Sequence, residues 1–181
     1  MPMSAPKVCA GRGCGATTYA KFCDPCRQRN CRVFLVIGPS GSGKSTWVRK
    51  QAKPGDLVID FDLIFKAISL QPIFEKPTNL LPFVLAARDA MLKLIGNYEN
   101  TGAAYIIRNK ITRVEIEAFR REFDAKIVLL KVAPDECIRR IEADPTRPAS
   151  QLQDWRNRIN EWWDEHRYLD VTPLWPAPPK A

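Results

Sequence analysis

CRVFLVIGPSGSGKSTWVRKQ, residues 31–51, decides how this chain is read. Residues 33–37 are an apolar, β-branched-rich run of strand length. Gly38, Pro39, Ser40, Gly41, Ser42, Gly43, Lys44 and Ser45 then fit G-x-x-x-x-G-K-[ST], and Thr46 leads on into a helical pattern. Strand, glycine loop and helix in that order form the context that makes the motif a phosphate site. Glycines let successive backbone N–H groups curl round an anion, and a helix N-terminus adds the positive end of its dipole. Lys44 is placed for the β- and γ-phosphates and the Ser45 hydroxyl for Mg²⁺. The stretch implies a site for ATP or GTP built from Gly38 to Thr46.

Outward from the loop, the chain alternates short apolar runs with helical patterns. After Lys53-Pro54-Gly55, a strong breaker, residues 57–59 read as a buried strand followed by Asp60-Phe61-Asp62. A helix is expected over 63–70, with Asp62 in position to cap it. Residues 71–82, with Pro72, Pro77 and Pro82, read as a loop able to shape a cleft. A helix over 83–95, a third strand over 104–107 ending at Arg108-Asn109-Lys110, and a helix over 114–123 follow. The pattern closes with a strand over 127–132, a helix over 135–142, a break at 144–148 and a last helix over 152–168. Alternation of this kind predicts an α/β fold, a short four-stranded parallel sheet with helices on both faces. Trp155, Ile159, Trp162 and Trp163 recur at helical spacing and read as packing.

The 181 residues are 45% apolar, enough for a core and against disorder. No run approaches the ~18 apolar residues of a membrane span, and no apolar signal segment opens the chain, so cytoplasmic residence without membrane contact is expected. Net charge is +8. Residues 1–32 hold six basic side chains against Asp24 alone, so +5 sits on the first sixth of the chain. A basic end on a nearly balanced body suggests a partner that is a polyanion.

Cys9, Cys14, Cys23 and Cys26 are spaced C-x4-C-x8-C-x2-C within that basic end. Two close thiolate pairs suit tetrahedral structural Zn²⁺ with no open position for catalysis. So short a segment has too little apolar surface to fold without metal. Cys31 is a less regular competitor, and Cys137 in an amphipathic helix reads as an inert core thiol. The expected organisation is a zinc module over 1–31, an α/β domain built on the phosphate loop over 32–172 and a Pro-rich tail over 173–181.

Two resemblances add to this. The stretch CAGRGCGATTYAKFCDPC resembles small zinc modules that precede some phage His-Asn-His nucleases; His166 is the only histidine, so that nuclease chemistry has no counterpart here. A zinc-held basic knob, either touching nucleic acid or serving as a cap, is what it leaves. GPSGSGKSTWVRK, KPG and VIDFD together resemble the 5′-kinase domain of bacteriophage polynucleotide kinase, a P-loop kinase. That resemblance implies transfer of a γ-phosphate to the 5′-hydroxyl of DNA or RNA, with Asp62 as general base. Asp60 falls where the family usually has a non-acidic residue, and could support Mg²⁺ or its waters. Lid arginines are implied in the region of Arg139, Arg140 and Arg147. Arg139 and Arg140 are neighbours and cannot both face a cleft; Arg140 with Arg147 is the favoured pairing, with Arg139 as the alternative to Arg140. Two positions depart from the family: Phe65, then Lys66, stand where it has an arginine, and Arg108-Asn109 where it has an aspartate. Arg108 would suit an anionic group on the acceptor. The alternatives are a nucleoside or nucleotide kinase, and a nucleic-acid-binding ATP-binding protein without kinase activity.

Overall fold

The computed structural model describes residues 7–8, 15–18, 31–95, 102–167 and 169. Two short strands, β1 (Lys7–Val8) and β2 (Thr17–Thr18), pair antiparallel near the N-terminus. The expected zinc ligands Cys9, Cys14, Cys23 and Cys26 lie outside the described residues, as does the tail over 173–181. Among the described residues no cluster of His, Cys, Asp and Glu is placed to hold a metal, and no helix is long and apolar enough to cross a membrane.

The body is built on four parallel strands, β3 (Arg32–Ile37), β4 (Leu57–Asp60), β5 (Ala103–Arg108) and β6 (Lys126–Leu129), in the order β4-β5-β3-β6. β3 is central, with Leu35 opposite Ile106 on one side and Ile127 on the other. Its sequence RVFLVI is almost unbroken apolar because both faces of a parallel sheet are covered. One face carries Val33, Leu35, Ile37, Ile59, Ala104, Ile106, Ile127 and Leu129. The other carries Val36, Tyr105, Ile107 and Val128, alternating with the first as the strand repeat requires.

Six helices connect and cover these strands: α1 (Lys44–Gln51), α2 (Phe61–Ser69), α3 (Leu81–Leu94), α4 (Arg113–Phe123), α5 (Pro134–Glu142) and α6 (Leu152–Glu165). Trp47 and Val48 of α1 cover the second face. Ile64 of α2, Met91 and Leu92 of α3, Ile116 of α4 and Trp162 of α6 pack on the first. A third cluster, Cys137 and Ile141 against Trp155 and Ile159, joins α5 to α6. The tryptophan stripe of α6 is therefore packing, as its spacing suggests, with Trp162 also donating from its indole to the Asn109 carbonyl at 2.8 Å.

Several element boundaries differ from the sequence expectation, and two of them bear on the site. The fourth strand ends at Leu129 rather than running to 132, because its partner β3 ends at Ile37, and the Leu130 N–H makes its bond to the Ile37 carbonyl at 2.8 Å. The helix expected over 63–70 starts at Phe61 and is capped by Asp60, not Asp62. Asp60 is still extended (φ −120°, ψ 122°), and its Oδ1 accepts from the Asp62 N–H at 3.0 Å. Asp62 is already inside the helix, so the two carboxylates do not share an extended segment.

Candidate active site

The loop between β3 and α1 lies at the carboxyl edge of the sheet, where open α/β sheets bind ligands. Its glycines are required by geometry. Gly41 sits at φ 78°, and a Cβ there would lie 2.5 Å from the Cys137 carbonyl oxygen of α5. A Cβ on Gly38 would meet the Leu130 carbonyl at 2.7 Å and the Ser42 hydroxyl at 2.6 Å. Gly43, at φ 89°, caps α1 without any side chain bonding the helix N–H groups. The Ser42 hydroxyl, 1% exposed, has no hydrogen-bond partner among the described residues. A tight backbone cradle, a side-chain-free helix end and an orphan hydroxyl fit a bound polyphosphate.

Lys44 stands at the first turn of α1, 8% exposed, and its Nζ donates to the carbonyls of Gly38 (2.8 Å) and Pro39 (2.7 Å). The lysine is thus folded back along the loop it follows. Burial pushes its pKa down to about 8, against the pull of Asp60, Cys137 and Asp62 and with a small push from Arg147. Arg147 is therefore within electrostatic reach of the loop lysine.

Next to it, Ser45 Oγ donates to Asp60 Oδ2 at 3.0 Å. Asp60 ends β4, the edge strand two places from β3, so the sheet order itself brings a carboxylate across to the loop serine. Asp60 is 7% exposed, and burial, then the charge of Asp62, raises its pKa, while bonds from Asp62 and Ser45 pull it back. A buried carboxylate beside a loop hydroxyl suits a hard divalent cation. Asp62, the second residue of α2, is one-third exposed and forms an ion pair with Lys76 at 2.5 Å.

The arginines separate cleanly. Arg139 points outward, 68% exposed, paired to Glu136. Arg140 turns toward the loop: its Nε bonds Glu136 and its Nη1 reaches the Gly41 carbonyl at 3.5 Å. Glu136 is held down to about 2 by Arg139 first and Arg140 second. Arg147 is 15% exposed, bonded to Asp144 and packed over the rings of Phe74 (4.3 Å) and Trp155 (4.9 Å). Arg108, at the end of β5, pairs with Glu115 at 3.1 Å beside an open cleft of about 460 Å³ that Lys110, Thr112 and His166 also line. Glu115 does double service, closing a capping box with Thr112 on α4. Cys137, under the loop, is fully buried, and burial pushes its thiol up to about 11, as expected of an inert core cysteine.

Residues 33–161 match the family described as an AAA domain. The chain belongs to that family. This AAA-domain protein is similar in structure to shikimate kinase from Bacteroides thetaiotaomicron (TM-score 0.52, 17% identity, 79% of this chain and 84% of that one). It is also similar to shikimate kinase from Acinetobacter baumannii in complex with shikimate (0.51, 19%, 78% and 79%). A third likeness is to a chain of the Pnkp1/Rnl/Hen1 RNA repair complex (0.55, 15%, 83% and 50%), of which this protein spans about half the length. At these identities the likeness is one of fold, an α/β P-loop kinase fold. No curated protein matches the chain in sequence.

Sequence reasoning about this AAA-domain protein missed Phe74, Lys76 and Glu136, which all hold a candidate residue in place. Lys76 carried one faint signal: it is the only cation in the proline-bounded loop after α2.

Proposed function

We propose that this AAA-domain protein is an ATP-dependent phosphotransferase acting on the 5′-hydroxyl of DNA or RNA. The observation that carries the reading is the hydrogen-bonded run from the Ser45 hydroxyl through the Asp60 carboxylate to the Asp62 backbone N–H, which ties to the phosphate loop a residue whose own carboxylate is one-third exposed. A plain nucleotide-binding loop needs no such second carboxylate. Phosphoryl transfer asks mainly for in-line positioning and charge neutralisation.

In this reading the backbone of residues 38–46 wraps the triphosphate. Lys44 leaves the Gly38 and Pro39 carbonyls and donates to the β- and γ-phosphates. Ser45 and Asp60 would hold Mg²⁺, directly or through its waters, and the ion would supply neutralisation of phosphate charge. Asp62 accepts from the acceptor hydroxyl, aligns it behind the γ-phosphorus and takes its proton late. Arg140, beside the Gly41 carbonyl, and Arg147 stabilise charge as it develops on the transferring group. Arg108 reads an anion on the acceptor side. The +5 segment with its four cysteines, taken as a Zn²⁺ module, supports a nucleic-acid acceptor over a small one, and the fold shared with a chain of an RNA repair complex accords with it. The domains proposed are 1–31, 32–172 and 173–181, with the protein in the cytoplasm.

The test is transfer from γ-labelled ATP to 5′-hydroxyl oligonucleotides, nucleosides and mononucleotides in parallel. Label on the oligonucleotide 5′ end is expected. Label only on nucleosides or nucleotides would replace the acceptor assignment, and label on nothing would overturn kinase activity.

A further inference from the structure

We propose that Lys76 sets the choice between acceptor and water: it occupies the Asp62 carboxylate in the resting protein and yields it to an acceptor that carries an anion beside its hydroxyl. The proposal rests on the reading of Asp62 as the acceptor-side base. Asp62 and Lys76 are each about one-third exposed, so water reaches the carboxylate wherever the ammonium does not. Asp60 is poorly placed to do the same, being only 7% exposed, with Oδ1 accepting from the Asp62 N–H and Oδ2 from Ser45. Among the described residues, Lys76 is the ion-pair partner of Asp62, at 2.5 Å from Oδ1.

The loop that delivers Lys76 is braced at both ends. α2 stops at Leu70 in the left-handed region, φ 58°. Glu75 N–H then bonds the Pro72 carbonyl at 2.9 Å, and Leu80 N–H the Pro77 carbonyl at 3.0 Å. Within the first of these turns, Phe74 lies against Trp155 with ring centres 5.6 Å apart and beneath the Arg147 guanidinium. Lys76, two residues on, is presented to Asp62 by a fixed loop that also touches the arginine proposed to clamp the phosphate.

The consequence is chemical. With ATP bound and no acceptor present, a water on a free Asp62 would attack the γ-phosphorus. Its proton would pass to the carboxylate, the bond to the β,γ-bridging oxygen would break with its electron pair leaving on ADP, and inorganic phosphate would result. An ammonium seated on Oδ1 takes the acceptor position that this water needs. Water offers Lys76 nothing in exchange. An acceptor with a phosphate next to its hydroxyl does, because the ammonium then moves from one anion to another while the hydroxyl reaches Asp62. An exposed pair of this kind is weak enough to be exchanged.

The experiment measures acceptor-independent hydrolysis of γ-labelled ATP by the full chain, alongside transfer to a nucleoside and to the same nucleoside bearing a 3′-phosphate. Lys76→Met is expected to raise hydrolysis by roughly tenfold or more, a modest share of what a positioned base supplies. The 3′-phosphorylated acceptor should lose its advantage in KM over the plain nucleoside. Lys76→Arg, which keeps the charge, should restore low hydrolysis, and Lys76→Met with Asp62→Asn should bring hydrolysis back to the parental rate. Hydrolysis by Lys76→Met within about twofold of the parent, or a rise that survives Asp62→Asn, overturns the proposal. If Asp62→Asn alone leaves transfer intact, the base assignment itself fails. If it impairs transfer while Lys76→Met stays flat, Lys76 alone is misassigned. Should the parent transfer to no acceptor, the hydrolysis rates still decide the role of Lys76.

Discussion

Lys44 carries an ammonium into an almost closed site with only two backbone carbonyls to receive it, and burial accordingly lowers its pKa to about 8. Two consequences have definite signs. The unfolded chain holds this proton up to the ordinary lysine value, ~10.4, so the contribution of Lys44 to stability improves as pH rises from about 8 toward that value. A triphosphate supplies the negative charge that burial lacks and draws the pKa back up. ATP binding at pH 9 is therefore expected to take up a proton, read by calorimetry in buffers of different ionisation enthalpy, and its affinity should fall as pH climbs through 8. Binding enthalpies identical in all buffers at pH 9 would show that Lys44 stays charged without ligand. Beside it, the two aspartates should part in their effects. Asp62→Asn should keep ATP affinity and lower kcat by ~10²–10⁴-fold, the usual worth of a general base. Asp60→Asn should instead raise the Mg²⁺ concentration needed for half-maximal turnover, because the residue faces Ser45. Turnover of Asp62→Asn within a few-fold of the parent would leave that carboxylate only its ion pair with Lys76.

The elements were legible where local chemistry alone determines them. Apolar runs bounded by Lys-Pro-Gly and by Asp-Pro-Thr-Arg-Pro gave strands and helices in the right order, and the glycine motif gave the loop. Asp60-Phe61-Asp62 was the place where the reading slipped, since either aspartate can cap a helix and nothing local chooses between them. The choice is made by β4: its last residue is still extended when it reaches the loop serine, so Asp60 both caps α2 and bonds Ser45. The neighbours Arg139 and Arg140 were undecidable for a similar reason, because the facing loop that sorts them lies almost a hundred residues away. Phe74 meets Trp155 and Arg147, and Lys76 meets Asp62, across long stretches of sequence, and neither leaves a periodic trace. At this scale the sharpest prediction concerns Gly41, whose φ of 78° and whose approach to α5 leave no room for a methyl group. Gly41→Ala should displace the loop from α5 and cut ATP affinity by at least ~10-fold, a loss of about 1.4 kcal/mol. Gly55, with a positive φ but nothing near its Cβ, is the control for backbone strain alone, and Gly55→Ala should leave ATP binding intact. Equal losses in both variants would assign the effect to strain rather than to the contact with Cys137.

Over the whole molecule, charge is divided as the proposed labour is: +5 on residues 1–32 and +3 on everything after them. In the proposed reading the sheet and its loop hold the triphosphate and the basic end holds the polyanion, so the two parts should respond to different perturbations. An oligonucleotide held by Lys and Arg side chains releases counterions, and the logarithm of its affinity falls with the logarithm of salt by ~0.7 per phosphate neutralised on a single strand. Removing residues 1–30 should therefore weaken oligonucleotide binding and flatten that slope by about one phosphate contact for each basic side chain that was engaged. Replacing Lys21, Arg27 and Arg29 by Gln should do the same in part, without touching the cysteines. Zinc analysis is expected to give about one ion per chain, lost when Cys23 and Cys26 are both changed to Ser. Chelation should then lower oligonucleotide affinity while leaving ATP affinity near its starting value, since metal binding and folding are one event in so small a segment. A salt slope unchanged by the truncation would make the basic end a cap, and the acceptor would have to be sought among small hydroxyl compounds that need no such arm. A steep slope that flattens in part with the three charges and further with the truncation, in a protein that still binds ATP, would put the polyanion on the N-terminal segment and the nucleotide on the loop.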